Sequence, residues 1–151
     1  MDATDLARRL LDPIPAHRTL GLEVVRAADG VGEVAAQVPP ALTNVIGSLH
    51  SSGLITLIDA AGLAAIIAAV ETPDGFNGVI PLGSAAELRF LAPARGRLSA
   101  TCRLEEEERA AVAAVCSGAA AVARTMTEAK VTDAEGVVVC IGSFEWSLRR
   151  R

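Results

Sequence analysis

Aromatic residues and lysine are scarce in this chain of 151 residues. It has one Trp, three Phe and no Tyr, and Lys130 is its only lysine. The net charge is −4, and no cysteines or histidines stand at the spacing of zinc ligands. Nucleic-acid-binding domains usually carry a basic stripe or aromatic side chains on which bases stack. We therefore expect no nucleic-acid partner and no metal site.

Cysteine is also rare, and the three present are widely spaced at Cys102, Cys116 and Cys140, with no CxxC pair. Each lies among apolar neighbours, which indicates buried, reduced thiols in a cytoplasmic protein. The first five residues include two aspartates and lack the apolar segment of a signal peptide. We expect a cytoplasmic location, and the abundance of Ala and Arg favours a bacterial source.

Charge is nearly absent from residues 54–70, where Asp59 is the single ionisable residue among Ala, Ile, Leu and Val. Apolar residues on every side predict a helix buried in protein or in lipid. The segment is at the short limit for crossing a bilayer, contains Gly62 and has no basic flanks. We therefore predict the core helix of a globular protein and no membrane partner.

Turn residues divide the rest of the chain into short elements. The expected order is a helix, two strands, the long helix and four strands of an antiparallel sheet, with one further short helix. Short helices are predicted at 5–11 and 105–115, and strands at 20–27, 31–38, 79–91, 97–104, 119–132 and 137–148. Ser51 or Ser52 is the expected N-cap of the long helix. His17 has no evident partner and is predicted to lie at the surface.

A carboxylate inside an apolar helix faces a large desolvation cost, and such groups tend to mark functional sites. Asp59 is preceded by a polar segment that includes Asn44 and ends with residues 50–53. The start of a helix presents unpaired N–H groups that can stabilise a negative carbonyl oxygen, as in an oxyanion hole. Asn44 could add an amide donor, and Asp59 could be a nucleophile or the base that activates water.

Ser51 and Asp59 are separated by eight residues, which is about 12 Å along an α-helix. One chain can hardly place both groups at a single carbonyl carbon. Either they have different roles, or the site combines the helix start of one chain with Asp59 of its partner. The second possibility predicts a symmetric dimer.

The spacing Asn44-x-x-Gly47-x-x-His50, with Asp59 nine residues after the histidine, resembles the signature of hotdog-fold acyl-CoA thioesterases of the phenylacetate-pathway type. The order of predicted elements is similar too. The resemblance implies an α+β hotdog fold, in which a curled antiparallel sheet wraps around a long central apolar helix. It implies a single hotdog domain over residues 20–151, preceded by an N-terminal helix and lead-in over residues 1–19.

The resemblance also implies hydrolysis of an acyl-CoA or related acyl thioester. Asn44 and the backbone amide of Ser51 would polarise the thioester carbonyl, His50 would shape the loop, and Asp59 of the other subunit would activate water. No cofactor is implied, because coenzyme A enters as part of the substrate. Members of this family form dimers or dimers of dimers, so self-association with a site at the subunit interface is expected.

Two positions depart from the family's pattern. The Gly-Gly that follows its histidine is Ser51-Ser52 here, which keeps the backbone donor but adds hydroxyl groups to the pocket. The family often has a water-holding Ser or Thr on the next strand, where this chain has Gly83 with Ser84 beside it. Ser52, Gly53, Gly83 and Ser84 are therefore candidate substrate-binding residues.

These departures leave an alternative, which is a non-catalytic hotdog protein that binds an acyl chain or acyl thioester. A hotdog hydratase or dehydratase ranks last, because the Asp and His arrangement of those enzymes is not matched. Thioesters of coenzyme A and of carrier proteins, and dimers and tetramers, are all compatible with the sequence.

Overall fold

The structure is a computed structural model that describes residues 1–151, with four α-helices, two short 3-10 helices and six strands. The α-helices are α1 (Ala3–Leu11), α2 (Pro15–Leu20), α3 (Ser51–Ala68) and α4 (Glu106–Cys116). The strands are β1 (Glu23–Ala28), β2 (Val31–Gln37), β3 (Val79–Phe90), β4 (Arg97–Arg103), β5 (Val122–Thr132) and β6 (Val138–Arg150). The 3-10 helices are Pro40–Leu42 and Pro73–Phe76.

The six strands form one antiparallel sheet in the order β1-β2-β4-β5-β6-β3. The sheet curls around α3, and one hydrophobic core fills the space between them. The predicted α+β architecture and the predicted order of its major elements are therefore confirmed.

Helix α3 is the core helix that its composition predicts. By length and composition it could cross a membrane, but 72% of it is buried inside the protein. Its buried residues include large aliphatic side chains, among them Leu57, Ile58, Ile66 and Ile67. The sheet therefore supplies the apolar environment that a lipid bilayer would otherwise provide.

Glycine allows β2 to pack directly against the backbone of α3. A Cβ atom at Gly32 would lie 2.5 Å from the carbonyl oxygen of Ala61 and would also overlap the backbone nitrogen of Ala65. A helix backbone cannot move aside like the end of a flexible side chain. The small residues of α3 and Gly32 thus set the distance between helix and sheet.

The N-terminal region differs from its prediction. Pro13 and Pro15 predict the end of a helix, and α1 does end at Leu11, but Pro15 also begins α2. Proline is well tolerated in the first turn of a helix, where its missing N–H needs no partner. Leu20 therefore ends a helix instead of starting a strand, and β1 begins at Glu23.

The prediction of a surface position for His17 is wrong. Its side chain is 3% exposed, and Nδ1 lies 2.8 Å from the carbonyl oxygen of Leu11. Burial lowers the pKa of this imidazole, so the neutral form is favoured. His17 therefore closes the turn between α1 and α2.

The two edges of the sheet differ in whether another element covers them. At the β1 edge, the Thr4 hydroxyl of α1 both donates to the Ala27 carbonyl and accepts from the Ala27 N–H, each at 3.0 Å. Arg8 Nε donates to the Val24 carbonyl at 3.2 Å. Strand β3 pairs only with β6, and most of its residues are exposed. Helix α1 thus blocks one edge, while the β3 edge is open to a further strand.

Substitution of Gly32→Ala is expected to lower the free energy of unfolding by about 3 kcal/mol, because the added methyl group overpacks the contact between helix and sheet. Urea denaturation of the two proteins measures the difference. Gly83→Ala is the matched control, since its nearest contact would be an ordinary 3.5 Å to Phe144 Cδ1. Equal stability of the two variants would contradict the packing argument.

Candidate active site

One stripe of α3 is not covered by the sheet. The exposed or half-buried residues that follow Ser51 on this helix recur every three or four positions and so share one side, namely Ser52, Ile55, Thr56 and Asp59. The expectation that apolar packing surrounds the whole helix is therefore wrong for this stripe, which contains the carboxylate.

Asp59 is half-buried and has no hydrogen-bond or ion-pair partner in the chain. Burial among apolar groups raises the pKa of its carboxyl group to about 6, because the charged form loses hydration that nothing replaces. A carboxylate with this pKa is mostly ionised at neutral pH and is more basic than an ordinary aspartate. Such a group is suited to accept a proton.

At β3, the side of the sheet that faces α3 is not buried by the helix. Ala86 lies opposite Phe144, and Phe90 lies opposite Cys140, so these residues share the sheet face that packs against the helix. Phe144 and Cys140 are buried, whereas Ala86 is exposed and Phe90 is 55% exposed. Ala86 and Phe90 are therefore apolar residues on the helix-facing side of the sheet that α3 leaves exposed.

Residues 43–49 form a small hairpin, here named the Asn44 hairpin, with Thr43 paired to Leu49. The Asn44 side chain closes it, because its Oδ1 accepts from the N–H groups of Ile46 at 3.1 Å and Ser48 at 3.0 Å. Two backbone donors at one atom identify that atom as the oxygen. The amide Nδ2 has no partner in the chain and is free to donate, so the same residue can order the loop and bind an acceptor.

The start of α3 is capped by a residue that the sequence analysis did not expect in this role. His50, and neither serine, is the N-cap, and its Nδ1 accepts from the Ser52 N–H at 3.1 Å and lies 2.8 Å from the Ser52 hydroxyl. Gly53 N–H donates to the His50 carbonyl at 2.9 Å, and Gly53 is buried against Leu49. The N–H of Ser51 has no acceptor in the chain, so it remains a free donor at the positive end of the helix.

Gly83 and Ser84 lie at an irregularity of β3, between the pairs Gly83–Trp146 and Ala85–Glu145. The Ser84 hydroxyl donates to the Glu145 carbonyl at 3.1 Å, so it is committed to the sheet. Ser84 lines a cavity of about 270 Å³ that does not include Asp59. The single chain therefore does not connect these two candidate residues with the carboxylate.

Asn44 lies in the hairpin that leads into α3, and His50 and Ser51 begin that helix, whereas Asp59 lies about two turns further along it. Ser51 and Asp59 belong to one continuous helix, and their separation is about 12 Å along its axis. The cavities of 250 to 470 Å³ in the chain lie elsewhere, and none of them is lined by Asn44, Ser51 or Asp59. No group of three or more His, Cys, Asp or Glu side chains could hold a metal ion.

Two residues that hold the Asn44 hairpin were missed by the sequence analysis. The buried Ser48 hydroxyl accepts from the Ala94 N–H at 2.8 Å, and Arg95 Nη2 donates to the Ile46 carbonyl at 2.8 Å. The partners are 46 and 49 residues apart in the chain. No local pattern encodes contacts of that range.

Comparisons with known proteins agree with this architecture. The model of a family described as a domain of unknown function, DUF4442, matches residues 6–148. No curated protein sequence matches the chain significantly. Among solved structures, the chain is similar to a Pseudomonas aeruginosa protein of unknown function described as a probable thioesterase, with 27% identity, coverage of 98% of this chain and 96% of that one, and a TM-score of 0.76.

Two further structures share the fold at lower identity. One is a thioesterase family protein from Silicibacter pomeroyi, with 17% identity, coverage of 99% of both chains and a TM-score of 0.76. The other is the E. coli PaaI protein from the phenylacetic acid degradation operon, with 17% identity, coverage of 99% of this chain and 93% of that one, and a TM-score of 0.71. The predicted hotdog fold and the resemblance to the thioesterase superfamily are thus confirmed.

The raised pKa of Asp59 predicts a pH-dependent stability. Between about pH 4 and pH 6 the folded state binds more protons than the unfolded state, so the free energy of unfolding falls as the pH rises through this window. Asp59→Asn removes the cost of the half-buried charge. The variant is expected to be more stable than the wild type by about 1 to 2 kcal/mol at pH 7 and equally stable at pH 4.

Urea denaturation at the two pH values measures this difference. Asp74→Asn is the matched control, because Asp74 is exposed and its charge keeps its hydration in the folded state. A gain in stability that is the same at pH 4 and pH 7 would show that the charge of Asp59 is not its source.

Proposed function

The chain belongs to the DUF4442 family of domains of unknown function, and from its hotdog fold and candidate site we propose that it hydrolyses acyl-CoA or a related acyl thioester. One observation carries the proposal. A free N–H at the start of α3 and a free amide donor in the hairpin that leads into this helix occur in the same chain as an unpartnered, half-buried carboxylate. Among the solved structures of this fold, one is of a protein described as a probable thioesterase, and others are of members of the thioesterase family or superfamily.

The donors suit the charge that develops on a thioester carbonyl. When water attacks the carbonyl carbon, the oxygen becomes negative, and preorganised N–H groups lower the energy of that state. The Ser51 N–H lies at the positive end of α3, where the helix dipole adds to its effect. Asn44 Nδ2 is the second donor, oriented by the two bonds that its Oδ1 accepts.

Asp59 acts as the general base in this proposal. It takes a proton from the attacking water as the new C–O bond forms, and the C–S bond then breaks. The thiolate is a good leaving group, so no strong general acid is required. The pKa of about 6 supports the role, since the base is ionised at neutral pH yet basic enough to accept a proton.

Two chains are needed to combine these groups, because about 12 Å of helix separate Ser51 from Asp59 in one chain. We propose that two copies join through their open β3 edges, as a dimer or a dimer of dimers, and that Asp59 of one copy faces the α3 start of the other. The exposed apolar residues in and after β3 support this, since Leu82, Phe90 and Leu91 are each 54 to 55% exposed.

A cytoplasmic location is part of the proposal.

A second function is binding of an acyl thioester without turnover. Two observations favour it. Ser51 and Ser52 replace the two glycines of the related thioesterases, and the Ser84 hydroxyl that could hold a water is bonded to the Glu145 carbonyl. Saturable acyl-CoA binding with no release of free thiol by the wild-type protein would select this function over hydrolysis.

Asp59→Asn is expected to lower kcat/KM for thioester hydrolysis by at least about a hundredfold, because the amide cannot accept the proton of water. Release of free thiol from a panel of acyl-CoA substrates measures the rate. The wild-type kcat/KM should fall as the pH drops through about 6, where the base becomes protonated. Asp74→Asn should retain wild-type activity and its pH profile, so full activity of Asp59→Asn would exclude the mechanism.

A mixture of two variants with strongly reduced activity tests the two-chain site. Asp59→Asn and Asn44→Ala are unfolded together, refolded as a mixture and assayed. In a mixed dimer, one of the two sites combines an intact Asp59 with an intact Asn44 from the other copy. Random pairing should therefore restore about a quarter of the wild-type sites. Each variant refolded alone is the control, and no recovery in the mixture would show that the two residues act within one chain.

A further inference from the structure

We propose that Arg95 is a positioning residue for the hydrolysis, because its guanidinium holds the tip of the Asn44 hairpin in place. The inference rests on the proposed function of Asn44 as a carbonyl donor. It assigns Arg95 to the site although Arg95 belongs to the turn before β4, far from Asn44 in sequence.

The base of the hairpin is fixed by buried contacts to the chain at Ala94. The Leu49 N–H donates to the Ala94 carbonyl at 2.8 Å, and the Ala94 N–H donates to the Ser48 hydroxyl at 2.8 Å. Ser48 and Leu49 are 4% and 1% exposed, and Ala94 is fully buried. This end of the hairpin is therefore part of the protein core.

The tip has no such packing. Val45 is fully exposed and Ile46 is 58% exposed. The only side chain from outside the hairpin that bonds to its tip is Arg95, which donates to the Ile46 carbonyl. Arg95 has no carboxylate partner in the chain, so this bond is not in competition with an ion pair.

The position of Ile46 determines the orientation of the Asn44 amide. The Ile46 N–H and the Ser48 N–H together bind Asn44 Oδ1, and the direction of Nδ2 follows from the position of that oxygen. Ser48 is held by the core, whereas Ile46 is held by Arg95. Loss of the guanidinium would leave one of these two donors mobile, and an error of about 1 Å in a positioned group can cost up to a hundredfold in rate.

Arg95→Ala is expected to lower kcat by about tenfold and to leave KM within about twofold, because a misplaced oxyanion donor weakens transition-state binding. The matched control is Arg97→Ala, since Arg97 lies two residues away, pairs with Glu23 and forms no hydrogen bond with the hairpin. A rise in KM with an unchanged kcat would instead show that Arg95 binds the substrate directly, for example a coenzyme A phosphate, and would overturn the inference.

A double variant tests whether Arg95 acts through Asn44. In an Asn44→Ala background the donor is already absent, so Arg95→Ala should cause no further loss of kcat/KM. The same tenfold loss in both backgrounds would mean that the two residues act independently, and the positioning role would be wrong.

Amide hydrogen exchange of peptides covering residues 43–50 gives a readout that does not depend on turnover. Arg95→Ala should raise the exchange rate of these amides several-fold, and Arg97→Ala should leave it unchanged. Unchanged exchange in Arg95→Ala would refute the contact with the hairpin. If the wild type hydrolyses no thioester while Arg95→Ala exchanges faster, the proposed function fails but the control of the hairpin by Arg95 stands.

Discussion

The packing of α3 inside the curled sheet is the constraint on which the other features depend. A helix with aliphatic residues on nearly all sides has to be covered, and five of the six strands pack against it. Strand β2 approaches the helix backbone most directly at Gly32, where a Cβ atom would not fit. The sheet covers most of the helix but leaves one stripe open. That stripe carries Asp59, so the extent of the sheet decides how far the carboxylate is buried.

Partial burial of Asp59 explains the raised pKa of its carboxyl group. A fully exposed carboxylate would keep an ordinary pKa, and a fully buried one without a partner would impose a prohibitive cost. Asp59 lies between these limits, with a pKa raised to about 6 by burial. The β3 edge of the sheet is open as well. In the proposed dimer a second copy completes the cover and brings its own helix start to the carboxylate.

The start of α3 is ordered by hydrogen bonds within its own chain. His50 satisfies the Ser52 N–H, and Asn44 Oδ1 satisfies two N–H groups of the hairpin, so that the Ser51 N–H and the Asn44 amide remain as free donors. Local bonds thus fix the donors before any substrate is bound. Such preorganisation is what electrostatic stabilisation of a transition state requires.

Short-range patterns determined much of this protein. The apolar segment around Asp59 predicts α3, and turn residues predict the strands. The family resemblance carried by Asn44, His50 and Asp59 implies the hotdog fold and the residues of the candidate site, whose catalytic roles stay predictions. Only the tertiary structure decided that His17 is buried, that α3 has one uncovered stripe, that the β3 edge is open and that Ser48 and Arg95 hold the Asn44 hairpin. The physical reason is the sequence separation over which each interaction acts. Periodicity and turn chemistry involve residues a few positions apart. The burial of α3, the unpaired edge of the sheet and the contacts between residues 46 to 49 positions apart depend on how the sheet curls.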